Sequence, residues 1–182
     1  MLTEMETLVF NAKPNAAHYA LAELEQISHF SSVITQNVDN LHQEAGSSIV
    51  IEFHGNGKRL RCLSCGSTVG KSQVDFSIMP PRCACGGLLK PDVVFFGEAI
   101  PAEAYEKAQR EARYCDLILV IGTSAVVSPA SEIPLEAKRG GALVAEINLE
   151  ETVLTRSVSD LSIHESAGKA LPALVESIRS GM

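Results

Sequence analysis

Thr35-Gln36-Asn37-Val38-Asp39-Asn40-Leu41-His42, then Phe53-His54-Gly55, then Cys62-Leu63-Ser64-Cys65 and Cys83-Ala84-Cys85 follow one another in a single stretch of this chain. The first group offers amide and carboxylate hydrogen-bonding side chains, the second a titratable imidazole, the third soft metal ligands. Their order implies a nucleotide-binding loop with a histidine at its mouth, beside a metal-stabilised lobe.

The cysteines give the firmest local inference. C-x2-C and C-x-C stand seventeen residues apart, and glycine follows each pair (Gly66, then Gly86-Gly87). A short cysteine pair presents two thiolates from one tight turn, and glycine lets that turn adopt positive φ. Zinc takes four such ligands tetrahedrally. With Cys62, Cys65, Cys83 and Cys85 the shell is full, so the expected zinc is structural. Two disulfides are the alternative, and they need an oxidising compartment. Met1-Leu2-Thr3-Glu4-Met5-Glu6 has neither the basic start nor the apolar run of a secretory signal, so a cytoplasmic setting is expected. Cys115, between Tyr114 and Asp116, reads as a small core residue, with a reactive thiol as the lesser alternative.

Composition bounds the rest. A length of 182 residues suits one domain carrying a small insertion. Hydrophobic content of 46% with 20% charged residues is ordinary for a soluble globular protein. A net charge of −7 argues against a nucleic-acid binder and is compatible with a basic peptide partner. The apolar strings fall short of the roughly 20 residues of a membrane span, so no membrane partner is expected. Oligomeric state leaves no mark in the sequence.

Period and punctuation predict alternating strands and helices. Pro14 opens a helical pattern with Ala17, Ala20, Leu21, Leu24 and Ile27, reaching about Ser28. Val33-Ile34 predicts a strand delivering residues 35–39 at its carboxyl end, and residues 49–53 a second. Residues 56–90 form the insertion, with a loose middle at Met79-Pro80-Pro81. Val93-Val94-Phe95-Phe96 predicts a strand ending at Gly97, and residues 102–113 a helix. Residues 117–121 read as a strand covered on both faces, ending in Gly122-Thr123-Ser124. A helix over 129–139, a strand over 142–147 ending at Asn148, and a helix over 169–179 complete a parallel α/β pattern.

Gln36, Asn37 and Asp39, then Gly122-Thr123-Ser124, then Asn148 each follow a predicted strand. Ligands of open α/β sheets bind outside the carboxyl ends of strands, and small or amide-bearing residues there suit ribose, carboxamide and phosphate. Helix capping explains any one of these clusters alone, and the three together less readily.

At this point the residues carry a family resemblance. The run from Thr35 through Gln43-Glu44-Ala45-Gly46, with Phe53-His54-Gly55, the four cysteines, Pro91-Asp92-Val93-Val94-Phe95-Phe96-Gly97-Glu98, Gly122-Thr123-Ser124 and Ile147-Asn148-Leu149, resembles the sirtuins, NAD-dependent protein deacylases, from about Pro14 onward. The resemblance implies a Rossmann-like NAD-binding domain formed by residues 1–55 and 91–182, with a zinc-binding insertion at 56–90. It implies that acyl groups pass from acyl-lysine of a protein or peptide to ADP-ribose, with release of nicotinamide. His54 would be the general base on a ribose hydroxyl of NAD, which suits a side chain whose unperturbed pKa is about 6.5. Gln36, Asn37 and Asp39 would line the nicotinamide and ribose pocket. Gly122, Thr123 and Ser124 would hold ribose and phosphates, with Asn148, Leu149, Glu150 and Ala167 towards the adenosine. Val94, Phe95, Phe96, Gly97 and Glu98 would pair with the substrate peptide as an added strand. His18, His29, His42 and His164 read as packing or surface residues.

The chain departs from the family pattern at its start. Sirtuins begin with a strand, a glycine-rich loop and an Asp-Phe-Arg segment, whereas here the first glycine is Gly46, the first aspartate Asp39 and the first arginine Arg59. The expectation is a parallel sheet incomplete at its amino-terminal side, with exposed flanking edges and weaker hold on NAD. A shortened version of a longer protein, or a relative completed by a partner, would both look like this. The Tyr-x-x-Arg pair of relatives that remove acidic acyl groups has no counterpart in Leu2-Thr3-Glu4-Met5. Two other readings remain: a non-catalytic peptide-binding module with a structural zinc, and a zinc-ribbon nucleic-acid binder. The second lacks the aromatic, basic face it would need.

Overall fold

The computed structural model describes residues 12–181, so the Leu2–Met5 stretch lies outside the described residues. In chain order the elements are α1 (Ala16–Ile27), β1 (Val33–Thr35), α2 (Leu41–Ala45), β2 (Val50–Glu52), β3 (Gly55–Cys62), β4 (Thr68–Gly70), β5 (Leu89–Val93), α3 (Ala102–Tyr114), β6 (Leu117–Ile121), α4 (Glu132–Gly140), β7 (Leu143–Asn148), β8 (Leu161–His164) and α5 (Ala167–Gly181). They fall into two compact units. The first comprises Thr35–Asn40 and Glu52–Pro101 with residues 12–13; the second comprises Pro14–Ile34, Leu41–Ile51 and residues 102–181.

In the second unit, α1 starts two residues later than proline alone suggests, because Asn15 is its cap. The Asn15 carboxamide oxygen accepts from the Ala17 and His18 amides at 3.0 and 3.3 Å, and the His18 ring reaches back to the cap. This satisfies amides that the first turn otherwise leaves unpaired. The helix ends at Ser28, whose amide and hydroxyl both donate to the Leu24 carbonyl. Ala17, Ala20, Leu21 and Leu24 make one buried stripe against Leu171 and Val175 of α5 and Ile147 of β7. Strands β6, β7 and β8 form a parallel sheet in that order, with Val120 opposite Glu146 and Glu146 opposite Ser162. Strand β8, which sequence period did not predict, is short and mostly exposed.

Strands β1 and β2 form a separate pair. Val33 donates to Ile49 and Phe53 donates to Thr35, so the bonds advance in the same direction along both strands and the pair is parallel. Among the described residues β1 pairs only with β2, and β6 only with β7. The expected parallel strands are therefore present as two sheets. The prediction that β6 is covered on both faces fails for the same reason. Val120 is buried, but Leu117 is 53% exposed at the edge.

The first unit is built around an antiparallel sheet in the order β4-β3-β5. Leu60, Cys62 and Leu89 are buried together, with Val69, Val74 and Cys83 packed on them. This sheet leaves no clear mark in the sequence because Lys58, Arg59 and Arg61 hide the period of β3. The predicted strand over Val93–Phe96 is corrected as well. The observed strand stops at Val93 and runs antiparallel to β3. Beyond it the chain turns, because the Glu98 carboxylate accepts from the Phe95 amide at 3.1 Å and the Glu98 amide donates to the Phe95 carbonyl.

Candidate functional site

His54 follows β2 directly. Phe53, fully buried, donates its amide to Thr35 of β1, and its ring meets the His54 ring edge-on with centroids 5.6 Å apart. His54 Nδ1 lies 3.1 Å from the Gln36 carbonyl oxygen. A carbonyl can only accept, so Nδ1 carries the proton of the neutral ring and Nε2 keeps its lone pair. The main chain is pinned on both sides: Val94 donates to the His54 carbonyl at 3.0 Å, and Gly57 donates to the Val38 carbonyl at 2.7 Å. Gly55 has φ of +82°, and a Cβ there would strike the Asp92 carbonyl, so this position requires glycine. The structure thus joins His54 to the loop bearing Gln36, Asn37 and Asp39. The Asn37 amide is turned by the Thr35 hydroxyl at 3.1 Å.

The four cysteines converge in the same unit. Their sulfurs all lie within 4.8 Å of one another, with Cys62 and Cys85 at 3.6 Å and Cys65 and Cys83 at 3.8 Å. Zinc–sulfur bonds of about 2.3 Å in a tetrahedron place sulfurs about 3.8 Å apart, so the residues fit zinc. The Ser67 hydroxyl, 3.0 Å from the Cys65 sulfur, lowers the Cys65 thiol to about 6 and lowers Cys83 as well. The Gly87 amide favours a Cys85 thiolate, but the three neighbouring sulfurs outweigh it and push Cys85 up to about 11. Four thiolates this close repel one another, and a dication removes that repulsion. Cys115 is apart from this group. Its thiol is half-buried, donates to the Ala112 carbonyl at 3.3 Å, and is raised by burial, as befits a packing residue.

In the second unit a cleft of about 490 Å³ opens at the carboxyl ends of β6 and β7. Gly122, Thr123, Ser124, Asn148 and Glu150 line it. Gly122 donates to the Ile147 carbonyl, and Asn148 donates its side-chain amide to the Thr123 carbonyl at 3.0 Å, stitching the two strand ends together. Leu149 and Ala167 are not in its lining. Leu149 is 70% exposed, and Ala167 begins α5 against the apolar cluster. Val126 and the loop after β7, which includes Glu151, Thr152 and Arg156, complete the wall. What holds this loop has no local signal in the sequence. Buried Glu146 accepts from the hydroxyls of Thr152, Thr155 (2.6 Å) and Ser159 (3.2 Å). Burial opposes its ionisation, yet the three hydroxyls, with His164 nearby, hold the carboxyl below the usual range. A smaller hollow of about 300 Å³ beside Arg110, Tyr114 and Cys115 has no such convergence of strand ends.

The Val94–Glu98 segment belongs to the first unit. Glu98 takes the Lys90 ammonium at 2.6 Å, the same ammonium stands 5.2 Å over the Phe95 ring, and Phe96 is fully exposed.

A cleft at the carboxyl ends of parallel strands and four cysteines placed to hold zinc define the class, an α/β protein with a strand-end site and a four-cysteine lobe. The Sir2 family model matches residues 1–129. The chain belongs to the Sir2 family. It is 48% identical over 175 residues to NAD-dependent protein deacylase 2 of Pyrobaculum aerophilum, covering 96% of this chain and 70% of that protein. Its fold superposes on a Sir2 homologue–NAD complex with a TM-score of 0.88 at 44% identity, covering 95% of this chain and 68% of the other. A Sir2 protein bound to acetylated peptide matches with a TM-score of 0.85 at 36% identity, over 93% of this chain and 72% of that one. No helix among the described residues is long and apolar enough to cross a membrane.

Proposed function

We propose that the chain is an NAD-dependent protein lysine deacylase that moves the acyl group of acyl-lysine to ADP-ribose and frees nicotinamide. The observation that carries this reading is the His54 ring, whose Nδ1 is committed to the Gln36 carbonyl while Nε2 stays free to accept a proton. When bound, NAD would supply an electrophilic ribose carbon for the acyl oxygen and nicotinamide as the leaving group. His54 accepts the proton of a ribose hydroxyl, and the Gln36 carbonyl steadies the imidazolium that results. Gln36, Asn37 and Asp39 line the nicotinamide and ribose pocket. The cleft of about 490 Å³, in the usual range for ligand pockets, supports a nucleotide held by Gly122, Thr123, Ser124 and Asn148. Leu149, Glu150 and Ala167 stand towards the adenosine.

Val94, Phe95, Phe96, Gly97 and Glu98 take the substrate peptide. The acetylated-peptide complex of a relative supports that substrate class. The Val94–Glu98 turn is stitched internally by Glu98, whose carboxylate and amide both bond Phe95, so strand addition there begins from a preformed bend. Cys62, Cys65, Cys83 and Cys85 hold zinc in a closed, structural shell, and reduced thiols favour a cytoplasmic setting. The test is nicotinamide release from NAD with an acetyl-lysine peptide. Release that needs both substrates and is lost in His54→Ala supports the reading, and release undiminished in that variant removes His54 from its role.

A further inference from the structure

A group of polar side chains that the motifs left unassigned surrounds the segment carrying His54. Asn56 is 3% exposed and Asp92 is 4% exposed, an unusual depth for these residue types. The Asn56 side-chain amide donates to the Asn40 carboxamide oxygen at 2.7 Å and to the Glu52 carboxylate at 2.5 Å. Its own carbonyl accepts from the Lys58 amide at 2.9 Å. Both donors and the acceptor of one buried side chain are therefore used. Glu52 in turn takes Arg59 Nη2 at 2.5 Å. Asp92 takes Arg59 Nε and Nη2 on one oxygen, at 3.1 and 3.0 Å, and Arg61 Nε on the other at 2.7 Å. Two carboxylates meet two guanidiniums, so the cluster is charge-neutral, which is the condition under which such depth is tolerated.

Four segments meet in this network, and each carries a part of the proposed site. Asn40 closes the loop of Gln36, Asn37 and Asp39, in the left-handed backbone region at φ of 69°. Glu52 stands two residues before His54 and Asn56 two residues after it. Asp92 stands two residues before Val94, and its backbone carbonyl lies against Gly55. Along Asn40–Asn56–Glu52–Arg59–Asp92 every link is a hydrogen bond or an ion pair. Each member is tied to a chain neighbour of His54, so its loss would reach the ring through the backbone.

We propose that Asn56 and Asp92 are positioning residues for His54, holding its ring against the Gln36 carbonyl by tying the 36–40 loop, β3 and β5 into one frame. This rests on the reading of His54 as the base. An imidazole displaced by a fraction of an ångström from its partner loses rate and not affinity, since misplacement by about 1 Å can cost on the order of 100-fold.

The test uses the full chain with 15N-labelled histidine. In the wild type, His54 shows a protonated Nδ1 resonance coupled to the Gln36 carbonyl. Asn56→Ala is expected to lose or shift that resonance while metal content stays the same, and to lower the kcat of nicotinamide release about 10- to 100-fold with the KM for NAD changed less than about threefold. Should Asn56→Ala lose its metal and unfold, Arg59→Gln, at a half-exposed position, carries the same expectation at smaller size. An unchanged resonance and an unchanged kcat in a folded variant overturn the proposal. A wild type that releases no nicotinamide refutes the proposed activity alone, because the Nδ1 resonance still decides whether the network holds the ring.

Discussion

The two units solve the same problem, holding functional side chains still, by different physics. In the second, an apolar stripe on α1 packs against α5 and β7, and the cleft at the strand ends rests on that core. In the first, the sheet buries a much smaller cluster, Leu60, Cys62 and Leu89. There the structure depends on four sulfurs, a neutral ion cluster and a glycine that only one backbone conformation accommodates. A small domain with little core needs such staples. The difference means that the two units should fail under different insults.

The largest effect expected is that of metal. One zinc per chain should be found, and chelation should expose the amides of β3 and β5 to hydrogen exchange while those of α1 and α5 stay protected. Structural zinc contributes on the order of 10 kcal/mol to its own fold, more than the small apolar cluster of this lobe can replace. Equal protection of both units after chelation would break the comparison. Substituting Cys83→Ser should act in the same direction.

Next in size is His54→Ala. Loss of a general base costs about 10²- to 10⁴-fold in rate. Calorimetry with NAD should show affinity altered by less than about threefold, because every residue assigned to holding the nucleotide is left in place. A loss of affinity as large as the loss of rate would show that His54 serves binding.

How much of this was legible in the sequence follows the same division. The second unit read well. Ala17, Ala20, Leu21 and Leu24 display their helix, and the apolar runs of β6 and β7 display theirs, because burial imposes a period. In the first unit the convergence of the four cysteines was legible from their spacing. Its antiparallel sheet was not, since Arg59 and Arg61 occupy strand positions in order to reach Asp92, and polar strands lack the apolar alternation that marks a strand. Val94, Phe95 and Phe96 misled for the opposite reason. They have strand composition, but the Glu98 carboxylate captures the Phe95 amide and bends the chain. The roles of Asn56 and Glu146 depend on partners brought close by folding, and no local pattern encodes those.

Gly55→Ala tests the first unit without touching a charge or a ligand. The added methyl meets the Asp92 carbonyl, a backbone atom that cannot swing away, at a φ of +82° that alanine resists. Backbone strain of this kind costs about 1–3 kcal/mol, and the clash adds to it. Thermal unfolding of the metal-bound protein should show the loss in the transition that reports the zinc lobe. A shift in the transition of the second unit instead would contradict the division.

The smallest effect sharpens the comparison by probing a buried charge of the second unit. Glu146 is 2% exposed, and its folded carboxyl is held below the usual range, because the hydroxyls of Thr152, Thr155 and Ser159 overcome the cost of burial. A carboxyl with a depressed folded pKa stabilises the fold above its unfolded value of about 4.3, and that contribution disappears as pH falls through the lower folded value. Glu146→Gln removes the charge while keeping the volume. The variant should therefore lose about 1–3 kcal/mol at neutral pH and converge on the wild type in acid, below both values. Because the loop that Glu146 holds forms one wall of the cleft, NAD affinity should fall in parallel with stability. That parallel is the discriminating result. A loss of stability with affinity intact would place the loop outside the nucleotide site and leave the strand ends, Gly122 to Ser124 and Asn148, to hold the ligand by themselves.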